Sequence, residues 1–195
     1  MNGFIGKRSA VSVLGVVAMT IALAGCSSIA AAGVWDERPV LRSQADAARG
    51  RIWVLTPAGV SLYEASTGEN IADIPLPDWL WAGEKYACSP DLAIGPGGEA
   101  VISSNVVPTL WRVDPVTLVA SKHELAIEDD AGRDIGFTEL AYSAQQGAYF
   151  AVSPSQGSLW RIDPSLRRAQ SVSPSAPLPK ACGLADWPAS FSIQQ

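Results

Sequence analysis

The chain contains few residues whose type and spacing suggest catalysis. His123 is the only histidine, and it stands beside Glu124 in a polar stretch with no nucleophile fixed near it, so a Ser-His-Asp triad is not favoured. The sequence has no Cys-x-x-Cys-His motif for haem and no Cys/His cluster for zinc. We therefore expect no catalytic residues, no metal ligands and no bound cofactor.

Two further stretches have the composition of ligand loops but not their pattern. The acidic run from Glu128 to Asp134 lacks the alternating ligand spacing of an EF-hand calcium loop, which favours a solvated turn. Gly95-Pro-Gly-Gly98 is also predicted to be a turn, because no helix follows it as a phosphate-binding loop requires.

Aromatic residues in one loop are the candidates for contact with a ligand or partner. Trp79 and Trp81 lie in the Pro-flanked stretch from Asp78 to Lys85, close to Tyr86. Loops carry function when a rigid scaffold positions them, and aromatic side chains dominate interface anchors. The alternative is that these side chains only cover the part of the fold that they follow.

The elements that must position this loop recur along the chain. Thr109-Leu-Trp-Arg-Val-Asp-Pro115 returns 49 residues later as Ser158-Leu-Trp-Arg-Ile-Asp-Pro164, and a looser copy, Ser61-Leu-Tyr-Glu-Ala-Ser-Thr67, lies 48 residues before the first. A fixed period of about 20–50 residues is typical of repeat architectures. Trp53, Trp111 and Trp160 recur with the repeat, so we expect them to pack between units.

Short stretches rich in β-branched and aromatic residues, separated by turn residues, predict an all-β fold. No window after the N-terminal segment shows sustained helical periodicity. The predicted strands are Arg51–Thr56, Val60–Ala65, Asn70–Ile74, Ala100–Ser104, Thr109–Val113, Ala148–Ser153 and Ser158–Ile162. The second and third units each open with a further strand and Gly turn, at Leu92–Gly98 and Leu140–Gly147.

A unit of this length with three or four antiparallel strands has the size of a β-propeller blade. The order of strand, Gly turn, strand and Leu-Trp-Arg-Ile-Asp-Pro resembles the NHL, YVTN and quinoprotein-like propeller superfamilies over residues 46–193. The resemblance implies a small propeller. It does not imply one activity, because these superfamilies include binding proteins, scaffolds and several enzymes.

Three units cannot close a ring, and the chain ends offer a fourth. Gly183 to Ile193 begins like Asp91 to Ile102, and Gly33 to Pro39 has the Trp and Pro spacing of the repeat. We therefore expect four blades, closed by pairing of the N- and C-terminal segments, since closure removes exposed sheet edges. The alternative is an incomplete ring that pairs with a second copy or with another protein.

The first 25 residues have the pattern of a secretory signal peptide. Lys7 and Arg8 form a basic start, and the uncharged stretch from Ser9 to Ala24 has 16 residues, fewer than the roughly 20 that a membrane-spanning helix needs. Leu23-Ala-Gly-Cys26 resembles the lipobox of bacterial lipoproteins. The alternative is an ordinary cleaved signal that leaves a free cysteine.

The lipobox resemblance implies that Cys26 carries a diacylglycerol after cleavage and anchors the protein in the membrane. Ser27 in the next position resembles the signal for the outer membrane, with the protein facing the periplasm. The expected organisation is a signal peptide at 1–25, a lipidated tether at 26–33 and a propeller domain at 34–195.

The charge balance excludes some partners. The signal segment carries two of the 14 basic residues and none of the 19 acidic ones, so the remainder has a formal net charge of −7. An acidic chain with no basic run does not favour binding to nucleic acid. The expected partners are the membrane, through the lipid, and a second envelope protein.

Cys88 and Cys182 are the two cysteines that remain after Cys26. Pro75-Leu-Pro77 precedes Cys88 and Pro177-Leu-Pro179 precedes Cys182, which places the two cysteines at equivalent positions in units 1 and 3. An even pair in an oxidising compartment favours a disulfide, and a fourfold ring would bring the two together across its axis. The alternative is two separate buried thiols.

The sequence therefore predicts a lipid-anchored envelope protein whose propeller acts as a binding or scaffolding module. One alternative is a lactonase-like propeller hydrolase with acidic ligands that the sequence does not identify. Another is a subunit of an envelope complex whose partner completes a larger ring.

Replacing Cys26 with Ser tests the anchor. The variant precursor should remain uncleaved by the lipoprotein signal peptidase and should take up no labelled fatty acid, because it lacks the thiol that is acylated. Equal labelling of the variant and the parent in metabolically labelled cells would show that Cys26 is not the lipid site.

Overall fold

The computed structural model describes residues 39–83, 88–127, 135–153 and 157–173, all within one unit spanning Ala32–Gln195. Strands are the only regular elements among these residues, which confirms the all-β class. Several predictions concern residues outside the described ranges: the lipid site Cys26, the tether 26–33, Tyr86, Cys182, the acidic run 128–134, and most of the two terminal segments 33–39 and 183–193.

The strands form three sheets, each an antiparallel meander that we number as blades. Blade 1 contains β1 (Arg42–Asp46), β2 (Arg51–Thr56), β3 (Gly59–Glu64) and β4 (Asn70–Ile74). Blade 2 contains β5 (Leu92–Ile94), β6 (Ala100–Ser103), β7 (Thr109–Val113) and β8 (Ala120–Glu124), and a short strand, β9 (Ala126–Ile127), follows it. Blade 3 contains β10 (Thr138–Ser143), β11 (Ala148–Ser153), β12 (Ser158–Ile162) and β13 (Arg168–Val172), and β9 pairs in parallel with β13.

The repeated Asp-Pro pair ends the third strand of blades 2 and 3 and forms the turn to the fourth. The carboxylate of Asp114 accepts hydrogen bonds from the backbone N–H groups of Val116 and Thr117 at 2.9 and 2.7 Å. Asp163 accepts from the N–H groups of Ser165 and Arg167 in the same way, at 3.0 and 2.9 Å. Aspartate therefore caps both turns with its side chain, as this residue commonly does.

Successive blades come closest at their first strands. β1 contacts β5, and β10 contacts both β5 and β6. The sheets therefore fan outward from β1, β5 and β10, which we call the inner strands. Consecutive meanders that radiate from adjacent first strands form part of a β-propeller.

Two hydrophobic cores fill the spaces between the blades, with blade 2 contributing to both. Side chains alternate across a strand, so Ile102 of β6 packs toward blade 1 while Val101 packs toward blade 3. Trp53 and Trp111 lie in the first core and are 0% exposed, and Trp160 lies in the second and is 2% exposed. The expected packing between units is confirmed for all three tryptophans. The expectation that Trp53 recurs with the other two was wrong, because it lies in the second strand of its blade while Trp111 and Trp160 lie in third strands.

Each repeated tryptophan of blades 2 and 3 meets an aromatic ring from the connection that precedes its blade. Trp79 contacts Trp111 edge to face, with ring centroids 4.9 Å apart, and Phe137 contacts Trp160 at 6.1 Å. Offset and edge-to-face pairs of this kind contribute about 0.5–1.5 kcal/mol beyond the area they bury. The connections between blades are therefore part of the packing.

The strand predictions were accurate where apolar residues dominate and incomplete where they do not. The bounds of β2, β4, β7, β11 and β12 agree with the predictions, while β3 begins and ends one residue earlier than expected and β6 ends one residue earlier. β1 begins at Arg42, four residues before the repeat was expected to begin. It was not predicted because its sequence Arg-Ser-Gln-Ala-Asp carries no strand signal. No helix in the described part of the chain is long and apolar enough to cross a membrane.

Candidate functional site

The inner strands bring three charged residues together at the end where these strands begin. Arg42 is the first residue of β1, Asp91 immediately precedes β5, and Glu139 is the second residue of β10. We call these three residues the inner-strand cluster. They belong to three different blades, so only the assembled fold places them together.

The carboxylate of Asp91 joins all three inner strands. Its Oδ1 lies 2.6 Å from Nε of Arg42 and accepts the N–H of Leu92 at 2.8 Å, while its Oδ2 accepts the N–H of Leu140 at 2.7 Å. The backbone N–H of Asp91 donates to Oγ of Ser103 at 3.0 Å. The Asp91 side chain is 6% exposed, so these bonds take the place of water around the carboxylate.

Burial raises the pKa of Asp91 above its ordinary value, because it removes the ionised carboxylate from water. The Arg42 guanidinium and the N–H groups of Leu140 and Leu92 lower the pKa in part. These contacts favour the ionised form, since each of them donates to the carboxylate.

Glu139 lies beside this buried pair on a distorted stretch of backbone. Its φ is 52°, and the register between β10 and β11 shifts between Thr138 and Leu140, which marks a β-bulge. The side chain is half-buried, and desolvation followed by the charge of Asp91 raises its pKa. A left-handed conformation at a residue other than glycine costs energy and is found mostly where the surroundings impose it.

Asn105 fixes the described parts of the connection from blade 1 to blade 2, residues 75–83 and 88–91. The side-chain amide of Asn105 accepts a hydrogen bond from the backbone N–H of Ala82 at 2.9 Å and donates one to the carbonyl of Ala82 at 2.8 Å, as a residue in a paired strand does. It also donates to the carbonyl of Cys88 at 2.5 Å. Ser104 donates to the carbonyl of Leu80 at 2.7 Å. The loop that contains Trp81 is therefore held in place by the turn between β6 and β7.

Glycine is required opposite Asn105. A Cβ atom at Gly136 would lie 2.0 Å from the carbonyl oxygen of Asn105, closer than atoms can approach. The adjacent N–H of Phe137 donates to the carbonyl of Ser104 at 2.7 Å. The connection into blade 3 thus packs against the same turn that fixes the connection into blade 2.

The two described aromatic residues of this loop, Trp79 and Trp81, have different surroundings. Trp79 is half-buried against Trp111, and its Nε1 donates to the carbonyl of Pro57 at 3.1 Å. Trp81 is half-buried in the fixed loop, and Tyr86 lies outside the described residues. This placement of Trp79 is the one that the packing alternative describes, while Trp81 keeps part of its surface in solvent.

The expectation that no nucleophile lies near His123 was wrong. Oγ of Ser121 is 3.0 Å from Nε2 of His123, because residues two apart share one face of β8. Burial, followed by the charges of Arg112 and Arg167, lowers the pKa of His123. Among the described residues, no acidic side chain bonds the other ring nitrogen, and no group of three or more His, Cys, Asp or Glu residues could hold a metal ion.

Sequence reasoning missed the inner-strand cluster although one signal for it was present. Asp91-Leu-Ala and Glu139-Leu-Ala repeat the same tripeptide pattern at 48 residues, with an acidic residue before an apolar strand in both copies. Nothing in the sequence marked Arg42, because its strand was not predicted. Asn105 stands in a Ser-Asn-Val turn that gives no sign of three tertiary hydrogen bonds.

No family model matches the chain, and no curated protein matches it. A catalytically inactive virginiamycin B lyase from Staphylococcus aureus with quinupristin has a TM-score of 0.49 and 15% identity, over 68% of this chain and 40% of that one. The hydrazine synthase of Kuenenia stuttgartiensis has a TM-score of 0.47 and 12% identity, over 67% and 34% of the two chains. YCF48 bound to D1 peptide has a TM-score of 0.43 and 13% identity, over 68% and 38%. The chain thus corresponds to well under half the length of each of these structures.

Replacing Arg42 with Leu should destabilise the fold by about 1–3 kcal/mol at neutral pH, because the buried Asp91 carboxylate loses a charged donor. The folded-state pKa of Asp91 already lies above its unfolded value. An acid of this kind destabilises the fold as pH rises through its folded pKa, and loss of Arg42 raises that pKa further. The loss in free energy of unfolding of the variant, relative to the parent, should therefore be largest at pH 7.5 and should become smaller as the pH falls toward 4.5.

Urea unfolding at the two pH values measures this difference. The double variant Arg42→Leu with Asp91→Asn should lose the pH-dependent part of the deficit, because no carboxylate remains to be protonated. A deficit that is the same at both pH values in the single variant would contradict the role assigned to the pair.

Proposed function

We propose that this protein is a lipid-anchored component of the bacterial cell envelope, held in the outer membrane through Cys26, whose propeller binds a ligand or protein segment at the inner-strand cluster. The propeller is the binding or scaffolding part, and the tether at 26–33 links it to the lipid. Binding at the start of the inner strands is the function that the described geometry supports best.

The observation that carries this proposal is the oriented guanidinium of Arg42. Its side chain is 48% exposed although its Nε is held at 2.6 Å by a carboxylate that is almost completely buried. Among the described residues, Nη1 and Nη2 of Arg42 have no hydrogen-bonding partner. An arginine fixed on one edge keeps the other edge available for a carboxylate or similar anion.

Closure of the ring by a fourth blade would place the cluster around the mouth of a central channel. Two observations support closure. Phe150, Val152 and Leu159 form a separate apolar cluster on the face of blade 3 that points away from blade 2, and they are 5%, 5% and 8% exposed. On the corresponding face of blade 1, Val54 and Tyr63 are 1% and 5% exposed. Both end blades thus have two buried faces, as blades within a ring do.

A titration with a matched pair of small probes tests the binding proposal. N-acetylglycine offers a carboxylate, and N-acetylglycinamide is its neutral counterpart. The carboxylate should shift the backbone amide resonances of Leu92 and Leu140 in a saturable manner, since both N–H groups bond Asp91, and the amide probe should not. Two-dimensional NMR of the unlipidated mature chain gives this readout directly.

The control variants separate binding from stability. Arg42→Gln combined with Asp91→Asn keeps a neutral hydrogen-bonding pair and should abolish the response, whereas Arg167→Gln, at an exposed arginine elsewhere, should leave it intact. An equal response in the double variant, or no saturable response in the parent, would contradict the proposal. Stoichiometric divalent metal in the purified protein would favour the hydrolase alternative instead.

The disulfide between Cys88 and Cys182 is part of the same proposal. Cys182 lies outside the described residues, while the backbone of Cys88 is held by Asn105 beside the inner-strand end. Cross-linking two positions 94 residues apart would stabilise the fold by roughly 4–5 kcal/mol in the chain-entropy model. Peptide mapping of the periplasmic form without reductant should recover the Cys88–Cys182 cross-link, and recovery of both peptides as free thiols would remove it.

A further inference from the structure

Neighbouring inner strands are joined at two places by a hydrogen bond from a backbone N–H to a side-chain oxygen. Among the described residues each is the first strand of its sheet, so one edge of it has no described strand beside it to accept hydrogen bonds from its N–H groups. Oε1 of Gln44 in β1 accepts the N–H of Ile94 in β5 at 3.2 Å. Oδ2 of Asp91 beside β5 accepts the N–H of Leu140 in β10 at 2.7 Å. A side-chain acceptor of one blade therefore caps the open strand edge of the next.

Glu139 takes the sequence position in blade 3 that Asp91 takes in blade 2, although Glu139 lies in a bulge of β10 whereas Asp91 precedes β5. Both residues immediately precede Leu-Ala at the start of an inner strand, and Asp91 bonds the N–H of the Leu in the following copy, Leu140. Among the described residues the carboxylate of Glu139 has no hydrogen-bonding or ion-pair partner, although it is half-buried. After Asp91-Leu-Ala and Glu139-Leu-Ala, the third copy of the pattern is Gly183-Leu-Ala185.

We propose that the carboxylate of Glu139 accepts a hydrogen bond from the backbone N–H of Leu184, so that the chain's own segment Gly183–Ile193 adds the next inner strand beside β10. This inference rests on the closure proposed above and specifies its register and its occupant. The occupant is a segment of the same chain rather than a second copy or another protein.

The length of the intervening chain fits this register. Eleven residues separate Val172, the end of β13, from Leu184, while 15 separate Glu124 from Leu140 and 17 separate Ile74 from Leu92. Extended chain covers up to about 3.3–3.6 Å per residue, so eleven residues reach at most about 36–40 Å.

The chemistry of the segment fits the face that it would cover. Ala189, Phe191 and Ile193 alternate with small polar residues, which is the pattern of a half-buried strand. Phe150, Val152 and Leu159 provide a buried apolar face on blade 3, directed away from blade 2. Apolar side chains of the added blade would pack against this face as those of blades 2 and 3 pack between them.

A protein assembled from two pieces tests the hydrogen bond itself. Cys182 allows ligation of a synthetic peptide, residues 182–195 with ¹⁵N only at Leu184, to a recombinant thioester of residues 26–181 carrying Cys26→Ser, followed by reoxidation. The single amide resonance should appear outside the random-coil region and exchange with solvent about tenfold or more slowly than in the free peptide. Its chemical shift should follow the titration of Glu139.

Variants at both ends of the bond sharpen the test. Glu139→Gln should keep the slow exchange and lose the titration, because an amide oxygen still accepts, whereas Glu139→Ala should lose both. Glu69→Ala, at an exposed glutamate in the turn before β4, should change neither. A peptide with the α-hydroxy analogue of leucine at 184 lacks only the N–H, and it should lower the melting temperature as much as Glu139→Ala does, with no added loss when the two are combined.

The outcomes distinguish this inference from the closure on which it rests. Free exchange at Leu184 together with a large loss of stability on deleting residues 183–195 would overturn the register and leave closure standing. Unchanged stability after that deletion would overturn both. Slow exchange that disappears on dilution would show that a second copy supplies the strand, which also overturns the inference.

Discussion

The arrangement of the three blades depends on a buried carboxylate that no single blade can satisfy. Asp91 takes one donor from its own strand, one from β10 and a charged donor from β1. Because these donors lie in three sheets, the carboxylate is fully bonded only when all three inner strands are in register. Such an interaction adds little net stability over an apolar contact, but it strongly penalises arrangements that leave the charge buried and unpaired.

Hydrophobic packing supplies the rest of the cohesion. Blade 2 lies between two cores, and the repeated tryptophans fill the space between neighbouring sheets. The connections contribute aromatic rings of their own, as Trp79 does to Trp111 and Phe137 to Trp160. The inner-strand cluster determines which strand ends meet, and the apolar cores supply most of the stabilisation between the blades.

The repeat could be predicted from the sequence because it records this packing directly. Trp111, Trp160 and the Asp-Pro turns recur at nearly constant spacing, since each blade must present the same shape to its neighbour. β1 could not be predicted in this way, because an inner strand that faces solvent has no need of apolar residues. Arg42 was missed with it, and Asn105 was missed because its bonds join segments far apart in the chain. The loop that contains Trp79 and Trp81 was recognised by composition, but composition does not tell whether a ring points into the core or toward a partner.

The parallel pairing of β9 with β13 has a consequence for how such a chain can be rearranged. Residues 126–127 follow blade 2 in sequence, yet they hydrogen-bond to the outer strand of blade 3, at Arg168 and Ala169. The sheet of blade 3 therefore includes a strand that lies outside the stretch of chain between its own first and last strands. A duplication or exchange that begins at β10 would leave the outer strand of the transferred blade without its neighbour. The transferable unit includes Ala126 and Ile127, so recombination between repeats preserves this pairing only when its breakpoint lies before Ala126.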